Sequence, residues 1–122
     1  LGAKAVLTDL PEALDLLEEN IQLNKASMAY LPVAKAFDWD EALSTVPQGL
    51  SPPLVDELKA AGLWPVAGIL ISDCTYLPHH AAALRAAIES ICENQTEVLL
   101  CHVDRDVKWH FKDWFNEALQ EV

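Results

Sequence analysis

The sequence predicts an α/β protein with a mostly parallel sheet, because strand-like and helix-like stretches alternate along it. Short apolar runs with turn residues at their ends are typical of strands. Apolar residues at helical spacing follow three of these runs. The predicted strands are Lys4–Thr8, Leu31–Phe37, Val66–Ser72 and Glu97–Val103, and the predicted helices cover Leu10–Ile21, Pro78–Glu93 and Asp106–Glu121.

Composition and charge limit the function. The chain has 122 residues, 52% of them hydrophobic, which suffices for one domain with one core. Its formal net charge of -11 argues against a nucleic-acid partner and suits a basic protein partner. Three cysteines without paired spacing predict reduced, buried thiols in a cytoplasmic or nuclear protein. The sequence contains no apolar run long enough to cross a membrane.

The stretch from Ile69 to Tyr76 is the strongest candidate for a site. Ile69–Ile71 predicts a strand buried on both faces, which ends at Ser72-Asp73. Ligands of open α/β sheets lie at the carboxyl ends of strands, so Asp73 and Tyr76 are candidates for a small-molecule site. The alternative is structural: Asp73 satisfies nearby backbone amides, and Tyr76 packs against the following helix.

Two other strand ends carry groups that suit a nucleoside. Asp9 ends the first predicted strand, and its carboxylate could accept hydrogen bonds from both ribose hydroxyls. Trp39 follows the second strand and could stack on a base. Each has an alternative: Asp9 could cap the helix that begins at Pro11, and Trp39 could be an aromatic residue at the core edge. Three such ends on one rim predict a nucleoside-containing cofactor.

The segment Glu41–Pro65 breaks the alternation. Prolines and glycines interrupt it, and the pattern predicts a helix only at Leu54–Leu63. We interpret it as an inserted surface loop within a single domain. Elsewhere, the adjacent His79 and His80 do not predict a metal site, because neighbouring side chains at a helix start point in different directions.

These residues resemble a known family. The segments Leu7–Leu14 and Leu16–Asn20 are similar to the region after the glycine motif in seven-β-strand protein lysine methyltransferases. The group meant includes the valosin-containing-protein lysine methyltransferase. Phe37–Trp39 is similar to that family's Trp-containing motif, and Ser72–Tyr76 matches its Asp-x-x-Tyr signature. Arg105, after the fourth predicted strand, is also in keeping with the family.

The resemblance implies a Rossmann-like seven-stranded methyltransferase sheet and S-adenosylmethionine as cofactor. It implies that Asp9 binds the ribose, that Trp39 lies beside the adenine and that Ser72 contributes to the cofactor wall. Asp73 and Tyr76 would shape the mouth where methyl donor and acceptor meet. The methyl acceptor implied is a lysine of a protein substrate, and we expect the enzyme to be a monomer.

The resemblance is incomplete at both ends. The family's first strand and acidic-Gly-x-Gly loop would precede Leu1, and its antiparallel hairpin would follow Glu121. The missing strand would lie between Ala5–Thr8 and Ile69–Ser72, so we expect these 122 residues to be inactive and to bind S-adenosylmethionine poorly. Two alternatives remain open: a dinucleotide-binding oxidoreductase fragment, and a non-catalytic interaction module derived from a methyltransferase.

Overall fold

The computed structural model describes residues 2–74 and 80–103, which form four strands and four α-helices. The chain divides into two compact units, Leu1–Asp38 and Trp39–Val122, and each is described by itself. The elements in chain order are β1 (Val6–Asp9), α1 (Leu14–Asn24), β2 (Val33–Ala36), α2 (Trp39–Thr45), α3 (Pro53–Ala60), β3 (Gly68–Ser72), α4 (Ala81–Ile91) and β4 (Glu97–Cys101).

The first unit is a β-α-β arrangement. Strands β1 and β2 pair in parallel, with a register that runs from Val6 opposite Val33 to Asp9 opposite Ala36. A single 3₁₀ turn that contains Pro11 leads into α1, where proline's fixed φ suits a first helical turn. The predicted strand, helix and strand are therefore confirmed. Both strands begin two residues later than predicted, and β1 ends one residue later whereas β2 ends one residue earlier.

Helix α1 packs against β2 through one face. Ile21 is buried, and Phe37 just after β2 is buried as well. Leu17 and Leu14 lie one and two turns before Ile21 on the same face of α1, and both are half-buried. Leu10, by contrast, is exposed. The predicted inward face of α1 is thus correct for its helical positions and wrong for Leu10, which precedes the helix.

The second unit contains another parallel pair. Strand β3 pairs with β4 from Gly68 opposite Glu97 to Ser72 opposite Cys101. Thr96 fixes the start of this pair: its hydroxyl donates to the carbonyl of Val66 at 2.8 Å and accepts the N–H of Glu93 at 2.9 Å. These two bonds join the turn after α4 to the residues before β3.

A small apolar cluster holds the sheet against α4. Ile71 of β3 is buried against Leu84 and Ile88 of α4. Leu70, one residue away, is 81% exposed, because successive strand residues point to opposite faces. The prediction that Ile69–Ile71 is buried on both faces is therefore wrong: within the described residues, only the α4 side of this strand is covered.

The segment predicted to be an inserted surface loop is largely helical. Helix α2 forms from Trp39 to Thr45, where the sequence pattern predicted no helix. Ala42 of α2 and the apolar face of α3 are buried, and α2 packs on the alanine-rich helix α4. Small residues allow the two helices to approach closely, and the period of a seven-residue helix is too short to recognise in a sequence.

Helix α3 confirms the helix predicted at Leu54–Leu63, although it begins and ends earlier. Gly62, two residues beyond the end of α3, has a φ of +67°, which suits glycine. The N–H of Leu63 donates to the carbonyl of Leu58, and the N–H of Gly62 donates to that of Lys59, which together form a Schellman C-cap.

The predicted fold class and the last predicted helix remain to be compared with the structure. The structure confirms an α/β chain with short parallel strands, whereas the seven-stranded arrangement stays a prediction. The helix predicted at Asp106–Glu121 lies outside the described residues. In the part of the chain that is described, the helices are too short or too polar to cross a bilayer.

Truncation of Leu84 tests the cluster. We expect Leu84→Ala to lower the free energy of unfolding by about 2–5 kcal/mol, because this side chain is 3% exposed and leaves a cavity. Leu70→Ala is the matched control and should change it by less than about 0.5 kcal/mol. Urea denaturation measures both, and equal losses would contradict the one-sided core.

Candidate functional site

The carboxyl ends of β1 and β2 lie side by side in the first unit. Asp9 is the last residue of β1, and its carbonyl accepts the N–H of Phe37 at 2.8 Å. This bond extends the parallel ladder one step beyond β2. Asp9 is exposed, and its Oδ1 accepts the N–H of Leu10 at 2.8 Å. The carboxylate is therefore fixed on one oxygen and open to solvent on its other side.

The capping alternative for Asp9 finds no support. Leu10, not Asp9, holds the cap position of the turn that begins at Pro11, and among the described residues no side chain caps this turn. In the described part of the chain, the Asp9 side chain accepts a hydrogen bond from the adjacent amide of Leu10. Its carboxylate can thus still accept hydrogen bonds from a ligand's hydroxyl groups.

The carboxyl ends of β3 and β4 form the corresponding edge of the second unit. Ser72 is opposite Cys101 in the register, and the N–H of Asp73 donates to the carbonyl of Cys101 at 3.2 Å. Ser72 and Asp73 are both exposed. Ser72, predicted to contribute to the cofactor wall, and Asp73, predicted to shape the mouth of the site, therefore lie at the solvent-exposed edge of the β3–β4 pair.

Asp73 has an unusual backbone conformation. Its φ is +58°, in the left-handed region that few residues other than glycine adopt. Aspartate tolerates this region better than most residues, because its short side chain can bond locally. The turn ends β3 abruptly, and the Cys74 thiol then donates to the carbonyl of Ser72 at 3.3 Å.

Trp39 is located on the apolar side of the same unit. It is the first residue of α2, is half-buried, and packs against the cluster of Ile71, Leu84 and Ile88. Cys74 packs against this cluster too. Trp39 is therefore anchored in the core that also holds the carboxyl end of β3, as the core-edge alternative expects, and its remaining surface is open to a ligand.

The predicted site residues are thus brought together only in part. Trp39, Ser72 and Asp73 belong to the second unit, where β3 and its packing connect them. Asp9 belongs to the first unit, so its approach to the other three stays a prediction. Tyr76 lies outside the described residues.

A further polar residue, which the sequence pattern did not single out, stands at the end of β4. His102 follows β4 directly and is half-buried, next to the strand end that accepts the Asp73 amide. The predicted strand Glu97–Val103 included His102, whereas β4 ends at Cys101. The signal that could have found His102 is a polar residue directly after the apolar run Val98–Cys101.

The cysteines differ in their surroundings. All three are reduced, as predicted, but Cys74 and Cys92 are half-buried and Cys101 is exposed, so the prediction that the thiols are buried is wrong. Burial raises the pKa of the Cys92 thiol, and the nearby Glu89 carboxylate raises the pKa further. Glu89 also accepts a hydrogen bond from Arg85 at 2.6 Å, one turn away on α4.

The fold and the strand ends define a class of protein. Parallel strands alternate with helices, and polar residues follow the strands, as in α/β enzymes that bind a ligand at this edge. The sequence matches the lysine methyltransferase family over residues 1–121. The chain belongs to this family, which confirms the resemblance drawn from its motifs.

The turn at Asp73 predicts opposite effects at neighbouring positions. We expect Asp73→Gly to be more stable than Asp73→Ala by about 1 kcal/mol, because a Cβ is unfavourable at positive φ. At Ser72, an ordinary strand position, the order should reverse, with Ser72→Gly less stable than Ser72→Ala. Chemical denaturation of the four variants measures both differences. The same order at both positions would contradict the left-handed turn.

Cys92 predicts a pH dependence of stability. In the unfolded chain the thiol ionises near pH 8.5, whereas in the folded protein its pKa is raised, so it keeps its proton to a higher pH. Unfolding above about pH 8.5 therefore releases a proton, and the free energy of unfolding falls as pH rises. Denaturation between about pH 7.5 and 10 should show a shallower fall for Cys92→Ala. Parallel curves for the two proteins would refute this linkage.

Proposed function

We propose that the protein is an S-adenosylmethionine-dependent methyltransferase that acts on a lysine of a protein substrate. The match to the lysine methyltransferase family over residues 1–121 carries this proposal. The positions of Asp9, Ser72 and Asp73 at the carboxyl ends of parallel strands support it. In this class of fold, the strand ends bind the cofactor.

In each unit, the chemistry of a strand-end side chain suits one part of the adenosine of the cofactor. The exposed Asp9 carboxylate can accept hydrogen bonds from both ribose hydroxyls. Trp39, anchored by the β3–α4 cluster, offers a rigid aromatic surface for the adenine. Ser72, exposed at the end of β3, would add a hydroxyl to the cofactor wall.

Bound S-adenosylmethionine supplies a methyl group on a positively charged sulfur. The acceptor lysine must first lose a proton, which costs roughly 4 kcal/mol near pH 7.4 for an amine of ordinary pKa. Asp73 would hold the incoming amine, and Tyr76 would contact its methylene stem. Alignment of the amine with the methyl group provides most of the rate enhancement in such a displacement.

The glycine pattern of the sequence bears on how tightly this chain binds the cofactor. No Gly-x-Gly sequence occurs among the 122 residues, and such loops bring backbone amides close to a ligand. We propose that these residues alone bind S-adenosylmethionine weakly and are inactive. If the complete gene product also has no such loop, the alternative of a non-catalytic interaction module is favoured instead. The reduced cysteines favour a cytoplasmic or nuclear location.

Methylation by the complete gene product tests the proposal. With labelled S-adenosylmethionine and a cell lysate, we expect label on protein lysines, identified by mass spectrometry of the labelled bands. Asp9→Asn should raise the KM for S-adenosylmethionine at least about tenfold, because it loses the charge and one acceptor for the ribose. Asp56→Asn is the control, since Asp56 is an exposed acidic residue on α3.

Three results would count against the proposal. Label on nucleic acid or on small molecules alone would exclude protein lysine as the acceptor. An unchanged KM in Asp9→Asn would remove the ribose role of that carboxylate. Micromolar affinity of the 122-residue chain in a calorimetric titration would contradict the proposed weakness of its binding.

A further inference from the structure

The outer face of α1 exposes two leucines. Leu16 is 62% exposed and Leu23 is 74% exposed, whereas Ile21 on the opposite side of the helix is buried. Leu16 and Leu23 are seven residues apart, so they lie on one face about 10.5 Å apart along the axis. Because Ile21 faces inward, this leucine pair points away from the core of the first unit.

Negative charge borders these leucines on one side. Glu19 lies on the same side of α1 as the leucines, and Asp15 lies about a quarter turn round from them. Glu12, in the 3₁₀ turn before α1, comes one turn before Leu16, whereas Glu18 lies nearer to the side of Ile21. All four are exposed, and Pro11–Asn24 contains no basic residue. Within the described ranges, none of these four carboxylates forms an ion pair. We call this surface, Leu16 and Leu23 with Glu12, Asp15 and Glu19, the α1 outer face.

We propose that the α1 outer face docks a basic amphipathic helix of a protein partner. Leucines seven residues apart match the apolar positions of a helix that lies along α1. Lysine or arginine residues along one side of that partner's apolar stripe would meet the carboxylates of the α1 outer face. A second copy of this chain is a poorer occupant, because two such faces carry the same sign of charge.

This proposal goes beyond methyl transfer and does not rest on it. The surface lies on the helix side opposite Ile21, whereas Asp9 stands at the end of β1. Binding can be measured without a methyl donor. A failure here would therefore leave the proposed enzyme activity untouched, and the reverse also holds.

Peptide binding to the 122-residue chain tests the proposal. The probe is a fluorescein-labelled helical peptide of about five turns, rich in lysine and arginine, with leucines at every seventh position on one face. Fluorescence anisotropy should show saturable binding that weakens as salt is added. A scrambled peptide of identical composition, which has no apolar face, should bind at least about tenfold more weakly.

Variants of the chain locate the surface. Leu16→Gln with Leu23→Gln should weaken binding about tenfold or more, whereas Leu31→Gln, an exposed leucine of the same unit, should not. Glu12→Gln with Glu19→Gln should reduce the salt dependence, and Asp56→Asn with Glu93→Gln is the charge-matched control. Circular dichroism checks that each variant keeps its helix content.

Several results would overturn the proposal. Equal binding of the scrambled peptide, which requires no variant, would show attraction by charge alone. Unchanged affinity in Leu16→Gln with Leu23→Gln would move the binding elsewhere. Self-association of the chain that these two substitutions abolish would make a second copy the occupant of the face.

Discussion

Parallel strand pairing is the constraint on which the candidate site depends. In each unit, two strands run in the same direction, so their carboxyl ends meet at one edge. The pairing extends past the strand ends through the bonds from Phe37 to Asp9 and from Asp73 to Cys101. These bonds fix the backbone of the residues that carry the candidate groups, and a shift of register would move every side chain to the other face.

The second constraint is the cluster between β3 and α4. Ile71, Leu84 and Ile88 exclude water on one side of the strand and hold Trp39 beside it. The alanines of α4 allow α2 to pack closely, and this packing carries the first turn of α2 to the sheet. The aromatic candidate of the site is therefore positioned by core packing rather than by a hydrogen bond.

The two faces of these elements have different consequences. The α4 side of β3 is a core, whereas Leu70 on the other side is open in the described structure. Helix α1 shows the same contrast, since Ile21 is buried and Leu16 and Leu23 are not. On α1, the acidic surroundings of the exposed leucines indicate the chemistry of a partner. On β3, no described residue gives such an indication.

The sequence by itself determined the order of strands and helices, the strand ends at Asp9 and Ser72, and the family, because these depend on local pattern and on short motifs. Only the tertiary structure decided that α2 forms, because a seven-residue helix is stabilised by its contact with α4 rather than by its own residues. It also decided that Leu70 is exposed. An apolar run is the same in sequence whether one or both of its faces are covered, and the covering comes from residues distant in the chain.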